Sequence, residues 1–101
     1  MGSERVVIKR AGTALALSGL LDHDQGMELV NEVERALHGS VGRVVLDLRR
    51  VTVVDSRGLL ALIASARNVQ QAGRCFVLRR PSTTVRRFLD TTDTARSFAM
   101  E

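Results

Sequence analysis

Apolar positions along this chain change period several times. Val6-Val7-Ile8 and Leu15-Ala16-Leu17 flank Ala11-Gly12, which reads as a hairpin with a short turn. Gly19-Leu20-Leu21-Asp22 comes next, and Asp22 with Gln25 three residues on is a capping-box arrangement. Behind it Met27, Val30, Val33 and Leu37 recur at helical spacing, and Gly39 supplies the stop. The spacing predicts a helix over about 23–38, despite Gly26 in its first turn. Val44-Val45-Leu46-Asp47-Leu48 follows Gly42 and reads as a central strand. Arg49-Arg50 interrupts it, and Val51-Thr52-Val53-Val54 leads into Asp55-Ser56-Arg57-Gly58. Leu59, Leu62, Ile63, Ala66 and Val69 then form one apolar stripe, with Gly73 closing the helix. Cys75 to Leu78 is the next strand. Pro81 and Ser82 open a shorter helix that turns Val85, Phe88 and Leu89 inward and Arg86-Arg87 outward. The tail from Thr91 to Glu101 offers little beyond Phe98 and Met100.

The order is β-β-α-β-α-β-α. Strands alternating with helices require crossover connections, so the expected class is α/β: a single domain with a mixed, mostly parallel β-sheet packed with helices. A length of 101 residues suits one core, and a 45% hydrophobic content excludes a disordered chain. No stretch is long and apolar enough to span a bilayer, and no apolar segment follows Met1-Gly2-Ser3-Glu4-Arg5, so no membrane partner is expected.

Charge and cysteine content narrow the function. The net charge is +4, and Lys9 is the only lysine among 15 basic residues. The arginines are spread along the chain, with doublets at Arg49-Arg50, Arg79-Arg80 and Arg86-Arg87. With three Phe and neither Trp nor Tyr, a base-stacking platform is hard to build, and a direct nucleic-acid partner is not expected. The single cysteine, Cys75, cannot form an internal disulfide and fits a cytoplasmic setting, where it reads as a small buried hydrophobe. His23 and His38 lack metal-ligand spacing with it, so neither metal nor cofactor is expected.

Catalytic patterns are missing. Gly39-Ser40-Val41-Gly42 has no lysine for a phosphate loop, and neither histidine stands at a credible place to activate Ser56. Asp22 and Asp24 are what a helix N-terminus prefers. The protein is therefore not expected to be an enzyme. Asp55-Ser56-Arg57-Gly58, between a strand and a helix, allows two readings. Ser56 is a helix N-cap, or it is a serine that a kinase can reach, where phosphate would meet free N–H groups and the helix dipole.

Leu17-Ser18-Gly19-Leu20-Leu21-Asp22, Val44-Val45-Leu46-Asp47-Leu48, Val54-Asp55-Ser56-Arg57-Gly58-Leu59 and Pro81…Val85-Arg86-Arg87 stand in order along the chain. Together they resemble a STAS domain over residues 5–98, and more narrowly the bacterial anti-sigma factor antagonists, or anti-anti-sigma factors. The resemblance implies a protein that binds an anti-sigma factor with serine kinase activity, releases a sigma factor, and lets go when Ser56 is phosphorylated. A serine phosphatase would reset it. The implied partner-binding residues are Asp22, Asp55, Arg57, Gly58 and Leu60, on a monomer or weak dimer. For Asp22 and Asp47, partner contact competes with a helix cap and a strand-face role respectively. Arg57 stands where the family usually has a small residue, and Leu60 where it often has Gly. The alternative is a STAS docking subunit of another assembly, a lipid-transport ABC complex or a stress-sensing complex, with Ser56 mainly a helix N-cap.

Overall fold

Strand β1 (Val7–Ala11) pairs antiparallel with β2 (Ala14–Leu21), Ala11 standing opposite Ala14, in the computed structural model, which describes residues 7–11, 14–39 and 42–101. The hairpin is present; its expected turn residue Gly12 and the flanking Val6 lie outside the described residues. Helix α1 (His23–Gly39) returns the chain to β3 (Val44–Val54), parallel to β2. Helix α2 (Ser56–Gln71), strand β4 (Phe76–Arg79) and helix α3 (Thr83–Thr91) follow, and a 3-10 turn at Ala95–Ser97 leads to β5 (Ala99–Met100). The strands lie in the order β1-β2-β3-β4-β5, with every pair after the first hairpin parallel. The chain is thus an α/β domain on a mixed, mostly parallel sheet. Its core joins Leu15, Leu17 and Leu21 of β2, Leu46 and Leu48 of β3 and Leu78 of β4 to Leu29, Val33, Leu62, Val69 and Leu89 of the helices.

Four local expectations change. Arg49-Arg50 does not break the third strand: β3 runs through eleven residues, and its pairing with β2 shifts register twice. Each shift gives β3 one more residue than β2, as a bulge does, so Leu48, Val51 and Val54 are all buried while both arginines stay in solvent. In α1 the buried face is Gln25, Gly26, Leu29, Val33 and Ala36, and Met27 is exposed. Cys75 is exposed, because it precedes β4 and contributes only its carbonyl, which accepts from Val44 N at 2.8 Å. The tail is structural: Glu101 N donates to Leu78 O, Arg80 N donates to Glu101 O, and the Glu101 carboxylate bridges Arg43 and Arg79 at 2.9 and 2.8 Å.

Helix α2 ends as its sequence predicts. Gly73, with φ +76, lets Gly73 N reach Gln70 O and Arg74 N reach Val69 O, a Schellman closure.

Candidate functional site

Leu21 and Val54 are register partners, so the next residues, Asp22 and Asp55, emerge side by side at the carboxyl ends of β2 and β3. Asp55 N donates to Leu21 O at 3.3 Å, locking the two strand ends together. Each aspartate caps the helix that follows it. Asp22 Oδ1 accepts from Gln25 N at 3.2 Å, and Asp55 Oδ1 accepts from Gly58 N at 2.8 Å. Two acid-capped helix N-termini therefore share one rim, where their positive dipole ends are each met by a carboxylate. In parallel α/β sheets this is the side on which sites are commonly built.

The N-cap of α2 is Asp55, with extended φ and ψ of −110° and −176°. The expectation that Ser56 caps the helix is thereby corrected. Ser56 is the first helical residue, exposed, and its hydroxyl takes no part in the cap. Arg57 beside it is exposed and forms no ion pair among the described residues.

Gly58, expected on the partner surface, is buried instead. A β-carbon there would fall 2.2 Å from Leu21 O, so glycine is what allows α2 to start this close to β2. Asp22 is half-buried and Asp55 exposed. Asp47 is half-buried, and its Oδ1 accepts from Arg49 N at 3.0 Å inside the bulged strand, a local role away from the rim.

Leu60 is 64% exposed and Met27 60%, an uncommon display for large apolar side chains. With Gly26, Val30, Arg57, Ala61 and Ala64 they line a groove of about 480 Å³ between α1 and α2. The groove is shallow-walled because the helices nearly touch: a β-carbon on Gly26 would lie 2.7 Å from Ala61 Cβ. Met27 was missed as a surface residue, and the half-buried Val30 as a groove-lining one, because the sequence carries two overlapping apolar stripes on α1. The one through Leu29, Val33 and Ala36 is the buried one.

A family model described as "Mlab, STAS domain" matches residues 4–98. The chain belongs to the STAS domain family. No curated protein sequence matches it. Among solved structures, TM1081 from Thermotoga maritima, a candidate anti-sigma factor antagonist, superposes with a TM-score of 0.74 at 20% identity, covering 94% of this chain and 84% of that one. An anti-sigma factor antagonist from Mycobacterium paratuberculosis gives 0.70 at 24% identity, covering 97% and 85%. The Bacillus cell fate determinant SpoIIAA in its phosphorylated form gives 0.65 at 18% identity, covering 95% and 90%. At these identities the likeness establishes a shared fold. No helix among the described residues is long and apolar enough to cross a membrane.

Proposed function

We propose that this STAS domain is an anti-anti-sigma factor: a non-enzymatic, cytoplasmic protein that binds an anti-sigma factor with serine kinase activity and is released when Ser56 is phosphorylated. The observation that carries this reading is the free Ser56 hydroxyl. Asp55 already performs the capping, so Ser56 can be modified without unmaking the helix start. A phosphate there would add about −1.5 to −2 charges beside Asp55 and Asp22. Bound against a partner, that charge would have to lose its water beside two carboxylates, which weakens the complex. The adjoining groove supplies the attraction in the unmodified state, with Leu60 and Met27 as apolar contacts and Arg57 at its border. Solved structures of similar fold include an antagonist in its phosphorylated form. A serine phosphatase would return the protein to its binding state.

The test is phosphorylation in a lysate of the native host with γ-labelled ATP. The wild type is expected to take label at Ser56, and Ser56→Ala to take none. Equal labelling of the two, or no labelling of either, would refute the switch.

One observation favours a second reading. The matching family model carries the name Mlab and not that of an antagonist. In that reading the same groove is a permanent docking face within another assembly, a lipid-transport ABC complex or a stress-sensing complex. Ser56 is then an unmodified surface residue, since the structure gives the cap to Asp55.

A further inference from the structure

The three arginine doublets are far apart in sequence, but the fold brings the backbone segments that carry them together at Ser82. Ser82 N donates to Leu48 O at 3.3 Å, and Ser82 Oγ donates to Val51 O at 2.8 Å, so this one residue spans the stretch of β3 that holds Arg49 and Arg50. Arg79-Arg80 lies just before Ser82. Arg86-Arg87 lies one helical turn after it, and Arg86 N donates to Ser82 O at 2.8 Å. Helix α3 packs on β3, which keeps these segments together.

Arg79 is occupied by Glu101, and Arg86 stands 3.9 Å from Asp90. Arg49, Arg50, Arg80 and Arg87 are exposed and form no ion pair among the described residues. Arg80 carries a further signal. Its φ is +49, in the left-handed region that glycine enters freely and a long side chain enters against a steric cost.

We infer that this arginine cluster is a second docking surface, separate from the Ser56 groove, for an acidic segment of a partner protein. The chain's own carboxylates show the chemistry: where Glu101 reaches the edge of the cluster, it is held by Arg79 and by Arg43. The guanidinium fork suits such pairing, and a net charge of +4 steers an acidic partner toward the molecule. Single-stranded nucleic acid fits less well, because Phe76 and Phe98 are buried and Phe88 is half-buried, leaving no open ring on which a base would stack; duplex DNA, which needs no stacking, is separated by the test below. A bilayer fits less well too: α3 presents Thr83 and Thr84 beside the arginines, and the exposed Met27 and Leu60 belong to the other groove.

The test uses fluorescence anisotropy on the full chain, with a labelled octaglutamate peptide, a labelled DNA duplex and labelled phosphatidylglycerol vesicles as probes. The peptide is expected to bind in a salt-sensitive way. Charge reversal at Arg49 and Arg50, or at Arg86 and Arg87, should weaken it about tenfold or more. Arg67→Glu, on exposed α2, should leave it unchanged. Arg80→Gly separates binding from folding: peptide affinity should fall while the thermal midpoint holds or rises. Ser56→Asp should have no effect, so this result stands apart from the phosphorylation reading. The inference is overturned if octaglutamate does not bind, if the reversed doublets keep wild-type affinity, or if the duplex or the vesicles bind more tightly than the peptide.

Discussion

At the scale of single residues, the turn Asp55-Ser56-Arg57-Gly58 alternates between positions that hold the fold and positions left in solvent. Asp55 caps, Gly58 permits close approach, and Ser56 and Arg57 face solvent. Asp55→Ala should therefore cost about 1 kcal/mol in urea denaturation and Asp55→Asn much less, whereas Ser56→Ala should stay within about 0.5 kcal/mol of the wild type. A large loss for Ser56→Ala would return the cap to Ser56. Gly58→Ala should cost about 1–3 kcal/mol by forcing α2 away from the Leu21 carbonyl; an unchanged urea midpoint would contradict that packing. The sequence pointed to this turn but misplaced the cap by one residue, for a physical reason. Aspartate and serine cap almost equally well; the extended backbone of Asp55 and its bond from Gly58 N place the cap there, against Leu21 O of a distant segment. Gly58 was misread as surface for the same reason, since its neighbour is the end of β2.

At the scale of elements, α2 was read nearly correctly, because its stripe through Leu59, Leu62, Ala66 and Val69 is unambiguous and is the buried face. Helix α1 offered two candidate stripes, and packing against α2 chose the one that leaves Met27 outside. Leu60→Asp and Met27→Ser should consequently change stability by less than about 0.5 kcal/mol. Either should weaken capture of the proposed anti-sigma partner about tenfold. Loss of folding in these variants, by circular dichroism, would mean that the groove belongs to the core.

Strand β5 could not be foreseen from a two-residue apolar signal, because backbone bonds to β4 and the Glu101 carboxylate hold it. The Arg79 hydrogen bond, aided by Arg43, lowers the Glu101 pKa below its ordinary value, against a smaller opposing effect of desolvation. A carboxylate with a depressed folded-state pKa stabilises above its unfolded value and loses that contribution as pH falls through the folded one. Amide exchange at Arg80 and Glu101 should thus gain protection less from folding at acid pH than near neutrality. Glu101→Gln should show the weakened protection already at neutral pH, with the acid step gone. An acid step persisting in Glu101→Gln would assign it to another group.

At the scale of the molecule, alternating strands and helices make the α/β class and its mostly parallel sheet readable from the sequence alone. What the sequence did not show is which distant residues meet. Asp22 beside Asp55, Met27 across from Leu60, and the arginine doublets around Ser82 all depend on register and helix packing. These meetings give the molecule two faces of different chemistry: an apolar groove beside the exposed Ser56, and a set of exposed arginines on the segments that meet at Ser82.

The most direct test of the central claim is a pull-down from native-host lysate with wild-type, Ser56→Ala and Ser56→Asp baits, the bound proteins being identified by mass spectrometry. The account predicts that an anti-sigma factor carrying a serine kinase domain is retained by the wild type and by Ser56→Ala and lost from Ser56→Asp. Recovery of the same partners by all three baits would contradict it and make the domain a constitutive docking subunit.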